Sequence, residues 1–183
     1  MTYKETYYNF NDGNGPVAAR CHPNGGGWVA LTAKVDDSVY VGRNAQVFGN
    51  AKVYGNAQVF GRAKVCDDAW VYDDAKVFGN AWVFGNAQVS GIAEVCDDAE
   101  VCDAAQVYDA AQVFGNAKVF GNAKVYDDAW VYDDAWVYDD AEVCDKALVF
   151  HDAKVFGNAW VYGDAWVYGN AGASNLDNET PTP

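Results

Sequence analysis

From Val29 to Val167 a valine stands at every sixth position, 24 times without a break, and from Ala45 to Ala171 an alanine recurs with the same period two residues ahead. Residues two apart in an extended chain share one face. The position between them holds Lys52, Gln58, Trp82 or Glu94, and unpaired charges do not line a narrow core. Ala and Val therefore point inward and the residues flanking Val point outward. Each unit closes on a pair such as Gly55-Asn56 or Asp73-Asp74, residue types that accept left-handed or bent backbone at low cost. Every hexad thus predicts one short strand and one corner. A helix is excluded, because a fixed period of six leaves no stripe on a 3.6-residue turn.

An aliphatic residue followed four positions later by a small one, as in Val47 and Ala51, Val53 and Ala57, and onward to Val161 and Ala165, resembles the hexapeptide-repeat family. The resemblance covers about residues 27–172 and implies an all-β fold, a single left-handed parallel β-helix of triangular section with three hexads per coil. The lead-in Gly25-Gly26-Gly27-Trp28 is similar to that of bacterial and phage Ala-x-Val-x-Gly-Asn repeat proteins.

Three hexads per coil make a period of 18, and the outward residues test it independently. Glu94, Glu100 and Glu142 each have a lysine at that spacing, at Lys76, Lys118 and Lys124, so neighbouring rungs are expected to pair them. Corners along one edge alternate as Gly49-Asn50, Asp67-Asp68, Gly85-Asn86, Asp103-Ala104 and Gly121-Asn122, keeping acidic corners apart. The 24 hexads give about 8 coils, a rod somewhat under roughly 40 Å long. Residues 1–26, with Tyr3, Tyr7, Tyr8 and Phe10, are expected to form an N-terminal cap over the first coil; 27–171 form the β-helix, and 172–183 a disordered C-terminal tail.

The formal charge of −14 argues against nucleic acid, whose binding needs a basic surface, and against anionic membranes. No apolar run is long enough to span a bilayer, and the first residues lack the pattern of a signal peptide. Five cysteines, an odd number, do not describe a disulfide framework. The chain is expected to be cytoplasmic.

The position after the repeat Val is Phe or Tyr at most rungs, with Cys66, Cys96, Cys102 and Cys144 at others. Successive rungs should stack the rings into aromatic ladders. The third face ends in Trp130 and Tyr132, Leu148 and Phe150, Trp166 and Tyr168 with no charge at the outward strand positions, whereas the other faces interpose Lys118, Lys124, Glu142 or Lys154. These six side chains form the candidate interface, a patch of the size that suggests a partner, and the partner expected is a second copy of the chain.

Catalytic, cofactor and metal sites are expected to be absent. Acyltransferases of the resembled family imply a histidine base, a projecting loop and sites between chains; here only His22 and His151 are present, and no insertion interrupts the repeats. Three histidines for a zinc hydratase and regular threonines for an ice-binding face are both lacking. The thiols do not converge on a metal, and Cys66 and Cys102 are two rungs apart, too far for a disulfide. Asp109, Asp127-Asp128 and Asp145 stack on one edge, where a calcium ion would relieve repulsion or where the carboxylates simply form a solvated turn that keeps the rod soluble, with Lys146 a local countercharge. The expected role is a non-enzymatic structural or binding solenoid that self-associates through its aromatic ladders, with a hexapeptide-repeat acyltransferase-like enzyme as the alternative and a carbohydrate-binding rod as a further one.

Overall fold

The computed structural model describes residues 6–173. Its 27 elements are all strands, most of them only two residues long and centred on a repeat Val, such as Lys52–Val53 and Trp70–Val71. A corner follows each repeat strand, so the chain turns before a longer strand can form. The helix-free fold is the parallel β-solenoid expected, with three strands to each coil. Each valine lies in register with the valine three hexads on, as in Val53, Val71, Val89 and Val107.

Three flat faces result. The first is an 11-stranded sheet and the others have 8 strands each. Rungs are tied by amides pointing along the axis: Lys52 N–H donates to Ala69 O at 2.9 Å, Tyr54 N–H to Val71 O at 3.0 Å, and the corner Asn56 N–H to Asp73 O at 2.8 Å. The bore holds one continuous cluster of Ala and Val, nearly all with no exposed surface. Burying each valine contributes about 1.5–3 kcal/mol. Val35 in the first coil is half-buried.

From Gly49 onward every corner begins in the left-handed backbone region, and ten of these positions carry a side chain: nine aspartates and His151, all with φ between 57° and 60°. Where glycine stands instead, as at Gly49, Gly61 and Gly79, the next rung is close, whereas Gly163 and Gly169 in the last coil face open space. A Cβ on Gly49 would lie 2.7 Å from Asp67 N and 2.9 Å from its Cα. The aspartates offset their strain with a hydrogen bond: Gly85 N–H donates to Asp67 Oδ2 at 3.1 Å and Gly121 N–H to Asp103 Oδ2 at 3.2 Å. The second corner residues pair as well, Asn56 Nδ2 donating to Asp74 Oδ1 at 3.0 Å and Asn122 Nδ2 to Asp140 Oδ1 at 2.9 Å. The Gly-Asn and Asp-Asp alternation is therefore a set of complementary donors and acceptors as well as a spacing of charge.

The N-terminal segment does more than lie across the end. β1 (Thr6–Asn9) and β2 (Pro16–Cys21) form an antiparallel hairpin that continues the first face through β3 (Trp28–Ala30). The hairpin curls back over the outer surface. Tyr8 stacks on Trp28 with ring centroids 4.3 Å apart, and Phe10 stacks on Phe48 at 4.8 Å. Tyr8 and Phe10 thus cover apolar surface on the outside of the first face, beyond the first coil, whereas Tyr7 points away and is 77% exposed; alternation along the strand sends neighbours to opposite faces. Tyr3 lies outside the described residues.

The turn after β2 closes onto the first coil, where Gly27 N–H donates to Val41 O and Val41 N–H to Asn24 O, both at 2.9 Å. A Cβ on Gly25 or Gly27 would run into the Val41 carbonyl or that of Gly42. At the other end Gly172–Ala173, placed in the tail by sequence, form a strand paired with Lys154–Val155. The remaining tail lies outside the described residues.

Replacing Val107 by Asp puts an unpartnered carboxylate into a fully enclosed site and is expected to destabilise the protein by about 4 kcal/mol or more. Gln106→Lys, on the outer side of the same strand, should change stability by less than about 0.5 kcal/mol. Urea unfolding followed by circular dichroism checks the pair; equal midpoints for the two variants would contradict the inward placement of Val107.

Candidate interaction surface

The three-hexad register brings the outward residues together as columns. All three expected ion pairs form: Lys76 with Glu94 at 2.9 Å, Lys118 with Glu100 at 3.0 Å and Lys124 with Glu142 at 2.7 Å. Tyr126 O–H adds a bond to Glu142 Oε2 at 3.2 Å. These groups are partly exposed, and such pairs contribute roughly 0.2–1 kcal/mol each. Other lysines lie over tryptophans one rung away, Lys52 at 4.0 Å from the Trp70 ring and Lys154 at 4.8 Å from that of Trp136.

Aromatic ladders form at most places where consecutive rungs both carry a ring after Val, Tyr54 and Tyr72 being the exception. On the third face Phe114, Tyr132 and Phe150 stack at 4.9 and 5.0 Å with planes within 3°, and Tyr168 follows at 5.3 Å. On the first face Phe120, Tyr138 and Phe156 stack likewise. A ring in such a column shows solvent its edge while its faces are covered by neighbours.

The six candidate interface residues form one patch. Trp130, Leu148 and Trp166 pair in register across three rungs, and Phe150 pairs with Tyr168. Trp130 meets Phe114 edge to face at 6.1 Å, and Trp166 meets Phe150 in the same way at 6.4 Å. Trp166, the most exposed of the indoles, is 54% exposed, and Tyr168 is 47% exposed. A second tryptophan packing escaped the sequence reading. Where Cys replaces a ladder ring and Trp stands at an offset of 16, the indole folds over the thiol: Trp82 Nε1–H donates to Cys66 Sγ and Trp160 Nε1–H to Cys144 Sγ, both at 3.2 Å. Cys66 is left 2% and Cys144 3% exposed. Phe10 and Ala19 of the N-terminal hairpin belong to the same cluster as Cys66.

The five cysteines are free. Burial pushes the Cys66 thiol up to about 12. Cys96 and Cys102 are pushed up to about 11, first by burial and then by the carboxylates of Asp97 and Asp103. None of these three is primed as a nucleophile.

The two histidines lie far apart along the axis. His22 is buried under the first coil, its Nε2 3.1 Å from Asp36 O, and burial depresses its basicity. His151 sits on an exposed corner in the seventh coil with Nδ1 3.4 Å from Asp133 Oδ2, the histidine–carboxylate pair among the described residues on which the acyltransferase alternative can draw.

On the acidic edge, ligand atoms of Asp127, Cys144 and Asp145 lie within 4.8 Å of one another. Gly163 N–H donates to Asp145 Oδ2 at 2.9 Å and Asp145 N–H to Asp127 Oδ2 at 3.4 Å, the same corner contact made at Asp67 and Asp103, so the cluster has a structural explanation. A groove of about 730 Å³ runs beside Trp136 between Lys118 and Lys154, with Asp134 and Asp152 on its other bank. Lys154 already covers a face of that indole.

A family model described as the YdcK beta solenoid repeat matches residues 45–61, close to one coil, and the chain is similar to that repeat there. No curated protein matches the chain.

The raised thiols carry a pH signature. An acid whose folded-state pKa lies above its unfolded value stabilises the fold fully below the unfolded value, here about 9, and loses that contribution as pH rises through the folded one, 11 to 12. The tyrosines Tyr108, Tyr126 and Tyr132, raised first by burial, act in the same sense. Urea midpoints should therefore fall between pH 9 and 12, and Cys66→Ala should shallow the fall. A midpoint independent of alkaline pH would contradict the burial of these groups.

Proposed function

We propose that the protein is a non-enzymatic structural solenoid that self-associates side by side through the C-terminal end of its third face. The observation that carries this reading is the uncharged column Trp130, Leu148 and Trp166 beside the stack Tyr132, Phe150 and Tyr168, whose exposed indoles lie where the other faces set charges. Leu148 between two tryptophans makes a trough flanked by two ridges. A second copy turned about a two-fold axis would set its ridge into that trough, an isologous contact that closes without extending into a fibre. Burial of exposed aromatic surface supplies the attraction. Charge favours this location too: with a net −14, two copies repel less where the outward strand positions carry no carboxylate, the nearest being the corner aspartates Asp133, Asp134 and Asp152.

A β-helix that holds its core without loops is suited to rigid spacing, and its free thiols suit a reducing, cytoplasmic setting. The charge balance disfavours nucleic acid and anionic membrane as partners. The carbohydrate reading draws on the groove at Trp136, where a sugar would have to displace Lys154 from the indole. The enzyme alternative draws on His151 and Asp133; acetyl-CoA consumption abolished by His151→Ala would establish it in place of the structural reading.

Replacing Trp130, Leu148 and Trp166 together by Lys should leave the far-ultraviolet circular dichroism unchanged, since all three side chains lie outside the core, and should lower the mass measured by light scattering to that of a single chain. A wild-type protein already monomeric at high concentration, or a triple variant with unchanged mass, contradicts the proposal.

A further inference from the structure

The aromatic column of the second face is interrupted at Ser90. Trp70, Gln88 and Gln106 pair in register, which places Tyr72 one rung before Ser90 and Tyr108 one rung after it. Tyr108 stacks on Tyr126 with centroids 5.0 Å apart and planes within 1°. Its other face is turned to the Ser90 rung, where a ring position holds a hydroxymethyl group. A cavity of about 320 Å³ opens there, bounded by Tyr72, Asp73, Gln88, Ser90, Gln106 and Tyr108. Ser90, 8% exposed, forms its floor.

This gap differs from those at Cys66 and Cys144, which the indoles of Trp82 and Trp160 fill from an offset of 16, and from those at Cys96 and Cys102, where a half-buried thiol rather than a hydroxyl holds the ring position. At the same offset from Ser90 stands Gln106, so no indole folds into the space, and a carboxamide borders it. The corner also departs from the repeat: Ile92, 60% exposed, and Ala110 one rung on replace the usual Asn or Asp. An apolar lip therefore lies beside a polar-edged slot.

We propose that this gap binds one flat heteroaromatic ring system, monocyclic or fused, neutral or cationic, with donor and acceptor atoms on its edge. A ring at the Ser90 level sits about 4.8 Å from the neighbouring rungs, matching the 4.9–5.0 Å stacks made within the protein itself. It stacks on Tyr108, while Gln88, Gln106 and the Ser90 hydroxyl supply both donors and acceptors to its edge. The carboxylates of Asp73 and Asp109 at the rim repel anions. A puckered saccharide is thicker than the single ring the column omits. The slot is on the second face, independent of the self-association patch on the third.

Isothermal titration of the full chain with adenine, methyl glucoside and benzoate tests the assignment. Adenine should bind once per chain, methyl glucoside and benzoate should not, and Ser90→Tyr, which completes the column, should weaken adenine at least about tenfold without lowering the melting temperature. Trp130→Lys with Leu148→Lys and Trp166→Lys should retain adenine binding, which separates this site from the interface. Gln106→Ala serves as a second variant should Ser90→Tyr fail to fold, and it too should weaken adenine. No binding of adenine to folded wild-type protein, binding unchanged in the folded Ser90 variant or otherwise in Gln106→Ala, or displacement of adenine by methyl glucoside overturns the proposal.

Discussion

The valine columns govern everything else in the molecule. In a triangular bore this narrow, each rung contributes three Val and mostly three Ala, and the only stacking that leaves neither void nor overlap sets Val on Val, as from Val53 through Val71 to Val89. A branched side chain with few rotamers enforces that fit. One inserted residue would turn a Val outward and carry a Lys or Glu inward, so the register is held at every hexad. Amides running along the axis then repeat the same contact at each rung. Because the backbone repeats every three hexads, any two outward side chains at that spacing become neighbours, and ion pairs, ring stacks and corner bonds all follow from it.

Corners show how a second constraint is met inside the first. From the second coil onward the chain turns through left-handed backbone after each strand, which suits Gly and costs other residues about 1–3 kcal/mol. A rod made of Gly corners alone would carry little charge there and few side-chain bonds between rungs. Aspartate at nine such positions places acceptors against the amides of the next rung, at Gly85 and Gly121 for example, and keeps the surface acidic. Strong acidity and tight coiling are reconciled by interleaving Gly-Asn and Asp-Asp, in which carboxylates such as Asp67, Asp74 and Asp140 face a donor one rung away. The edge at Asp109, Asp127 and Asp145 breaks the interleaving, yet Asp145 still donates its amide to Asp127.

How much of this was legible depends on periodicity. Strand positions, coil number, the inward Val and the three Lys–Glu pairs are consequences of a repeat of 6 and 18, and were readable from spacing alone. The N-terminal hairpin was not. Tyr8 and Phe10 lie in a segment without period, and only the three-dimensional return of β1 places them on Trp28 and Phe48. The pairing of Cys66 with Trp82 and of Cys144 with Trp160 has a signal, an offset of 16, but that offset acquires meaning only once the side-chain lean between adjacent rungs is known. The candidate interface was legible as an absence of charge; its geometry of trough and ridge required the register of Trp130, Leu148 and Trp166.

The outward aromatics pose a solubility problem that the ladders largely resolve. A lone Phe or Tyr on a flat sheet exposes both faces of its ring, whereas within the stack of Phe114, Tyr132 and Phe150 each inner ring covers its neighbours and only edges remain in water. Apolar surface then concentrates where a column stops or skips. It stops at Tyr168 in the last complete coil, with Trp160 and Trp166 exposed beside it, and it skips at Ser90, Cys96 and Cys102 without an indole to fill the place. In a molecule whose every rung repeats the one before, recognition cannot come from the regular part, because any ligand that fitted one rung would fit many. Singular positions are the only places where this fold can hold one partner in one location.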